Sequence, residues 1–238
     1  NKYNYLKSLK KEQENSQKNN YYLFGSDEKR AKRLYDLCLP FLLEKELSSI
    51  NVLDYGGGNG KLLTGFLAHE SNCYVVDYND IMIEGITKLG NDHQDTNTDK
   101  KFDLIICSHV LEHVSDLNKI MSFLKDHLIE DGVIYAEVPL QIWSGLALEH
   151  DPVTHINFFT MNSFKNLFSL MNFNVLSNKR EFATYDQYQL EVTWLIASKH
   201  QGETKQLTKV DVDNFLFPSL YDSAVKIFTT TILPKFKF

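Results

Sequence analysis

At 238 residues, 43% hydrophobic and 24% charged, the chain is long enough to bury one good core, which favours one main domain with extensions. A formal net charge of -6 argues against nucleic-acid binding, which needs a basic face. No stretch reads as a transmembrane segment or a signal peptide, and Cys38, Cys73 and Cys107 sit in apolar runs; they read as reduced core thiols of a cytoplasmic protein, not as disulfides or a zinc site.

In chain order, residues 1–24 are a polar lead, and Asn1 in place of Met leaves open a trimmed chain or a larger parent. Ser26-Asp27-Glu28 opens a helix through Leu43 or beyond, with Ala31, Leu34, Leu37, Cys38 and Phe41 at helical spacing; Pro40 should kink or end it. Strand 51–55, helix 60–69, strand 73–77 and helix 80–89 follow, the last with Asp80 as its N-cap. Residues 90–101 are polar throughout and show no strand. Strand 102–107, helix 115–129, strand 132–139, helix 163–172 and strands 173–182 and 188–198 complete an α/β domain over 25–200, whose alternation implies a mainly parallel sheet. Residues 201–238 form a helical extension expected to pack back on the domain, with a site cover, a dimer contact or a membrane-surface contact as alternatives.

The run Val52-Leu53-Asp54-Tyr55-Gly56-Gly57-Gly58-Asn59-Gly60 reads as a buried strand, an acid, alternating glycines and a helix start at Lys61. Such glycines let the backbone turn tightly against a ligand, and the helix presents unsatisfied N–H groups and its positive dipole end. A nucleotide or nucleoside site follows. A dinucleotide fingerprint would need glycine where Lys61 stands, and a P-loop needs another spacing and a hydroxyl. Asp77 closes the next strand, about 20 residues on, where a carboxylate can accept both ribose hydroxyls. Its plain alternative is a helix-capping acid, a role Asp80 already fills.

The pattern D-x-G-x-G-x-G from Asp54 to Gly60 resembles the first motif of class I S-adenosylmethionine (SAM) methyltransferases. FDLIICSHVLEHV, from Phe102 to Val114, resembles the fourth strand and following loop of the group acting on sugars and small molecules. The resemblance, over residues 50–198, implies a Rossmann-like, mainly parallel sheet with helices on both faces and an antiparallel last strand. It implies SAM as methyl donor, S-adenosylhomocysteine as product, and a cofactor site of Asp54, Gly56, Gly57, Gly58, Asn59, Gly60, Asp77, Tyr78, Ser108, His109 and Val110. The family's third strand, with its acid or amide near the adenine, has no counterpart in residues 90–101.

Past strand 132–139, where open α/β sheets place ligands, comes Glu149-His150-Asp151-Pro152-Val153-Thr154-His155-Ile156-Asn157-Phe158-Phe159-Thr160. HDPVTHINFFT resembles methyltransferases of bacterial glycans and antibiotics, in which a histidine before the paired aromatics lies at the acceptor site. An alcohol must lose its proton as it is methylated, so His155 is the first choice of general base, His150 the second, and Glu149 an orienting carboxylate. The bland alternative makes Thr160 or Asn162 a helix cap and His155 its neighbour. Glu112 and His113 read as a helix start, and no tight ligand spacing indicates a metal. The expected activity is O-methylation of a sugar or sugar-like hydroxyl in surface-glycan or secondary-metabolite synthesis. Alternatives are C- or N-methylation of another metabolite, or a SAM-binding module without catalysis. Small-molecule or glycan substrates are the expected partners, and a homodimer stays open.

Overall fold

The computed structural model describes residues 27–140, 155–185 and 188–199. Seven strands form one sheet: β1 (Asn51–Tyr55), β2 (Asn72–Val76), β3 (Ile86–Gly90), β4 (Phe102–Ser108), β5 (Leu128–Pro139), β6 (Phe173–Tyr185) and β7 (Tyr188–Lys199). Their order is β3-β2-β1-β4-β5-β7-β6. The five strands from β3 to β5 run parallel, whereas β7 lies antiparallel between β5 and β6.

The central strands are apolar on both sides because both faces of the sheet are covered. Along β4, Ile105 and Cys107 enter one core cluster while Leu104 and Ile106 enter the other, the period of two a strand imposes. Helices α1 (Asp27–Cys38) and α2 (Thr64–Leu67) cover one face through Leu34, Cys38 and Phe66. Helices α3 (Leu117–His127) and α4 (Met161–Leu170) cover the other through Ile120, Met121, Leu124, Phe164 and Phe168. Pro40 ends α1: the chain passes into a 3₁₀ turn, Leu39–Phe41, because proline lacks the N–H the helix needs. Asp116 caps α3, and Thr160 caps α4 in a reciprocal box with Ser163. Cys38, Cys73 and Cys107 are buried and unbridged.

The segment 80–89 corrects the sequence reading. No helix forms there, and Asp80 caps nothing; its carboxylate pairs with Lys88 Nζ at 2.7 Å. Gly85, at φ +88°, interrupts the right-handed path, and Ile86–Gly90 becomes the third strand, parallel to β2. The polar stretch after it is a knot of side-chain-bridged turns, in which Asp95 accepts from the Asn91 and Asp92 amides and Thr96 N donates to Asp92 O.

One buried carboxylate ties α1 to the sheet. Glu137 of β5 is 1% exposed. It receives Arg33 Nη1 at 2.9 Å, the Tyr135 hydroxyl at 2.8 Å and Ser108 Oγ at 3.2 Å, with His109 Nε2 at 3.4 Å. Arg33 also pairs with Glu181 of β6. Burial alone would push the Glu137 carboxyl up, but hydrogen bonding and charge from His109 and the Arg33 charge outweigh it and hold it well below the usual range. Glu137→Gln is therefore expected to destabilise the fold by about 3–5 kcal/mol, read as a lower urea midpoint at unchanged m. Phe182→Ser, at an exposed position of the edge strand, should stay within about 0.5 kcal/mol.

Candidate active site

β1 and β4 are neighbours whose onward connections leave on opposite sides of the sheet order, and the crevice beyond their C-terminal ends is where such sheets bind ligands. Residues 56–60 and 108–110 lie there. Gly58 takes φ +58°, and a Cβ built on it meets no protein atom within 4 Å, so its backbone faces open space. Gly60, at φ +87°, is pressed against Ile86: an added Cβ would lie 2.5 Å from Ile86 Cδ1. The loop is drawn to β2 because Gly58 N donates to Asp77 Oδ2 at 2.9 Å, while Asp77 Oδ1 accepts from Asn79 N at 2.8 Å. Each Asp77 oxygen keeps further acceptor capacity for two hydroxyls.

Of the other cofactor candidates, Gly56 abuts Val110 and Gly57 abuts Asp54, so the turn, the end of β1 and the loop after β4 form one cradle. Asn59 holds the crossing to β3 through its carbonyl, which accepts from Ile83 N at 3.1 Å. Tyr78 is 73% exposed, and its hydroxyl bonds Asp92 Oδ2 at 2.6 Å, closing the outer rim. Ser108 is engaged in the Glu137 network, between Arg30 Nη2 at 3.3 Å and Glu137. His109 takes a left-handed φ of 57° and sits between two carboxylates, Nδ1 at 3.3 Å from Glu112 and Nε2 at 3.4 Å from Glu137. Burial opposes its charge, but the two glutamates prevail and raise the imidazole to about 9.

Asp54 is 1% exposed, and its Oδ2 has no hydrogen-bond partner among the described residues. A buried acceptor without a donor, beside an open glycine backbone and a carboxylate with spare acceptor capacity, fits a polar ligand of nucleoside type. Burial pushes the Asp54 carboxyl up to about 7, with Arg30 pulling it down and Asp77 pushing it further up.

Across the crevice, His155 is brought to the turn Leu111–His113 from more than forty positions away in sequence. Ile156 N and Asn157 N donate to Glu112 O at 2.8 and 3.0 Å, and Asn157 Nδ2 donates to Leu111 O and Val114 O at 2.8 and 2.6 Å. The His155 ring meets His113 edge to face with centroids 4.5 Å apart. Burial, with His113 and His109 adding to it and Glu112 opposing, lowers His155 to about 4, so the ring is neutral in the physiological range. Phe159 is core, 3% exposed, and Thr160 rather than Asn162 is the helix cap. His150 and Glu149 lie outside the described residues. Sequence reasoning missed Glu112 and Glu137 as site residues; a lone acid inside the apolar run of β5 was the available signal for the second.

A family model described as a methyltransferase domain matches residues 26–178. The chain belongs to this family. It is a methyltransferase domain with a Rossmann-like, mainly parallel sheet. A ubiquinone biosynthesis O-methyltransferase of Rickettsia felis is 24% identical over 118 residues, 42% of this chain and 48% of that enzyme. One from Rickettsia conorii is 24% identical over 126 residues, so the chain spans about half the length of these curated relatives. Among solved structures, the methyltransferase shares its fold with the Burkholderia thailandensis 1,6-didemethyltoxoflavin-N1-methyltransferase bound to S-adenosylhomocysteine, with TM-score 0.60 and 16% identity over 84% of this chain and 90% of that one. The magnesium protoporphyrin IX methyltransferase of Synechocystis, also with S-adenosylhomocysteine, gives 0.52 and 13% over 71% and 83%. No helix among the described residues is long and apolar enough to cross a membrane.

Asp54 sets a pH dependence of the fold. Its native carboxyl holds a proton that the unfolded chain has released, so its contribution to stability is present below its ordinary value of 3.8 and is lost as pH rises to about 7. Against the wild type, Asp54→Asn should gain on the order of 2–4 kcal/mol across that window, measured as urea midpoints at stepped pH.

Proposed function

We propose that this methyltransferase methylates a hydroxyl of a sugar or sugar-like small molecule, in bacterial surface-glycan or secondary-metabolite synthesis. The observation that carries the reading is the His155 imidazole, held against His113 and Glu112 one turn beyond Val110 of the cofactor cradle. The O-methyltransferase activity of the Rickettsia relatives supports an oxygen acceptor. The three buried, unbridged thiols support a cytoplasmic location.

When bound, S-adenosylmethionine supplies a methyl group on a sulfonium sulfur. Asp77 would hold the ribose hydroxyls, and the backbone around Gly58 would lie against the donor with Asp54 beneath it. The loop at Val110 would set the acceptor in line with the methyl group, since alignment is most of what a pre-activated electrophile requires. At the acceptor hydroxyl the O–H bond breaks as the C–O bond forms; the proton goes to the Glu112–His113–His155 cluster, with His155 as its acceptor, and then to water. The bound donor would take up the electron pair of the broken S–C bond and be released as S-adenosylhomocysteine.

A second reading, methylation of a nitrogen, is supported by the similarity to the 1,6-didemethyltoxoflavin-N1-methyltransferase at TM-score 0.60. A nitrogen nucleophile with its own lone pair would not depend on His155.

Calorimetric titration with S-adenosylmethionine and S-adenosylhomocysteine tests the donor site. Wild-type protein should bind both, and Asp77→Ala or Gly58→Ala should weaken binding by about 10- to 100-fold, the loss of one or two charge-assisted hydrogen bonds or of the open backbone face. Absence of binding by the wild type overturns the reading. On a panel of sugar and phenolic hydroxyl acceptors, His155→Gln should lower kcat by about 100-fold or more with donor affinity intact. Unchanged turnover of His155→Gln would favour the nitrogen acceptor.

A further inference from the structure

The glycines of the turn after β1 are not interchangeable. Gly58 faces open space and Gly60 receives Ile86, but the notch at Gly56 is filled by a side chain from the other half of the site. A Cβ placed on Gly56 would lie 2.3 Å from Val110 Cγ2, 3.6 Å from Val110 Cβ and 3.7 Å from Val110 Cγ1. The isopropyl group of Val110 thus occupies the volume that any other residue at 56 would need, and the two segments touch. Gly56 is anchored in turn: it takes φ +75°, and its N–H donates to Val76 O, at the end of β2, at 2.8 Å.

Val110 is equally fixed on its own side. It follows the left-handed residue His109 and takes φ -122° and ψ -47°, neither helical nor extended. Its carbonyl accepts from His113 N at 2.9 Å, which closes the Leu111–His113 turn. Leu111 is fully buried, and Asn157 Nδ2 holds both Leu111 O and Val114 O. A continuous path therefore runs from Gly56 to Val110, through the Leu111–His113 turn, to residues 156 and 157 beside His155, and each step is a packed contact or a hydrogen bond. The link between the halves is a β-branched side chain, whose χ1 is stiff. It suits a spacer.

We propose that Val110 is a positioning residue for methyl transfer: seated in the notch of Gly56, it sets the separation between a donor held at the glycine turn and an acceptor held at the Leu111–His113 turn and His155. The inference deepens the proposed function and rests on it. In-line transfer needs the nucleophile within about 3–3.5 Å of the methyl carbon, and a misplacement of about 1 Å costs on the order of 100-fold. Val110 takes no proton and carries no charge. Its part is to keep two turns at a fixed distance.

The test is a double-mutant cycle on the full chain, read by calorimetry with S-adenosylmethionine and by turnover of the hydroxyl panel. Val110→Ala removes the spacer, so kcat at saturating donor and acceptor should fall by about 10- to 100-fold while donor Kd stays within about threefold. Val110→Thr, which keeps the branched shape, should bring kcat back to within about threefold of wild type. Gly56→Ala drives a methyl into Val110 and should weaken donor binding by about 10-fold or more. With Val110→Ala added, the two β-carbons meet at 3.6 Å, an ordinary contact made from the opposite side. The double variant should then bind the donor, and turn over, about 5-fold or more better than Gly56→Ala, and stay below wild type because φ at 56 is positive. If Gly56→Ala fails to fold, folding of the double variant is the same rescue. Unchanged kcat in Val110→Ala, wild-type donor binding by Gly56→Ala, or a double variant no better than Gly56→Ala overturns the inference. So does loss of donor binding by Val110→Ala, which makes Val110 a donor contact instead. A wild type that binds the donor but methylates no acceptor strikes the proposed function, and the positioning role falls with it, while the donor-binding arm of the cycle still decides whether the two turns interlock.

Discussion

Glu137 is a carboxylate removed from water at the C-terminal end of β5, and the parts around it are arranged so that it can stay charged. Arg33 comes from α1, Tyr135 from the same strand, Ser108 and His109 from the end of β4, and Glu181 of β6 binds the far side of Arg33. Burying such a group is costly unless every partner is in place. The network therefore does more than hold α1 on the sheet. It fixes where β4 stops being a strand, and with it the left-handed turn at His109 that carries the chain towards Glu112.

The two halves of the site are built from different materials. On the proposed donor side the contacts are largely backbone: Gly58 against open space, Gly60 packed on Ile86, and a carboxylate, Asp77, already pinned by two amides. Geometry of that kind depends on positive φ and close approach, and few substitutions preserve it. On the proposed acceptor side the groups are side chains, Glu112, His113 and His155, gathered from two separate segments. One half can stay constant while the other is exchanged, which is how one fold serves many acceptors.

The sequence was most legible where local chemistry and the tertiary outcome agree. The alternation along β4 and β5, the glycine turn after β1, Pro40 at the end of α1 and Thr160 before α4 each announce their structure through their own backbone or packing needs. It was least legible at 80–90. Asp80 has the chemistry of an N-cap and Ile83, Ile86 and Leu89 recur every third residue, and only Gly85 hints at the break. The outcome was decided by β2, whose free edge takes Ile86–Gly90 as a partner, and periodicity carries no record of that edge. The pairing of Glu112 with His155 was hidden for a related reason: the hydrogen bonds of Asn157 that create it join residues more than forty positions apart.

The strand order has a consequence for how the protein is made. β7 is the last of the seven to leave the ribosome, yet it occupies a slot inside the sheet, between β5 and β6. Until residues up to Lys199 have emerged, β5 presents an unpaired edge, and β6 has no sheet to join. The nascent chain must therefore carry a nearly finished nucleotide-binding half beside an open seam, and an open seam is a template for mispairing with other chains. Vectorial synthesis and sheet closure thus run against each other here. The interval between the emergence of β5 and the insertion of β7 is when the protein is most exposed to chaperones and to its own copies.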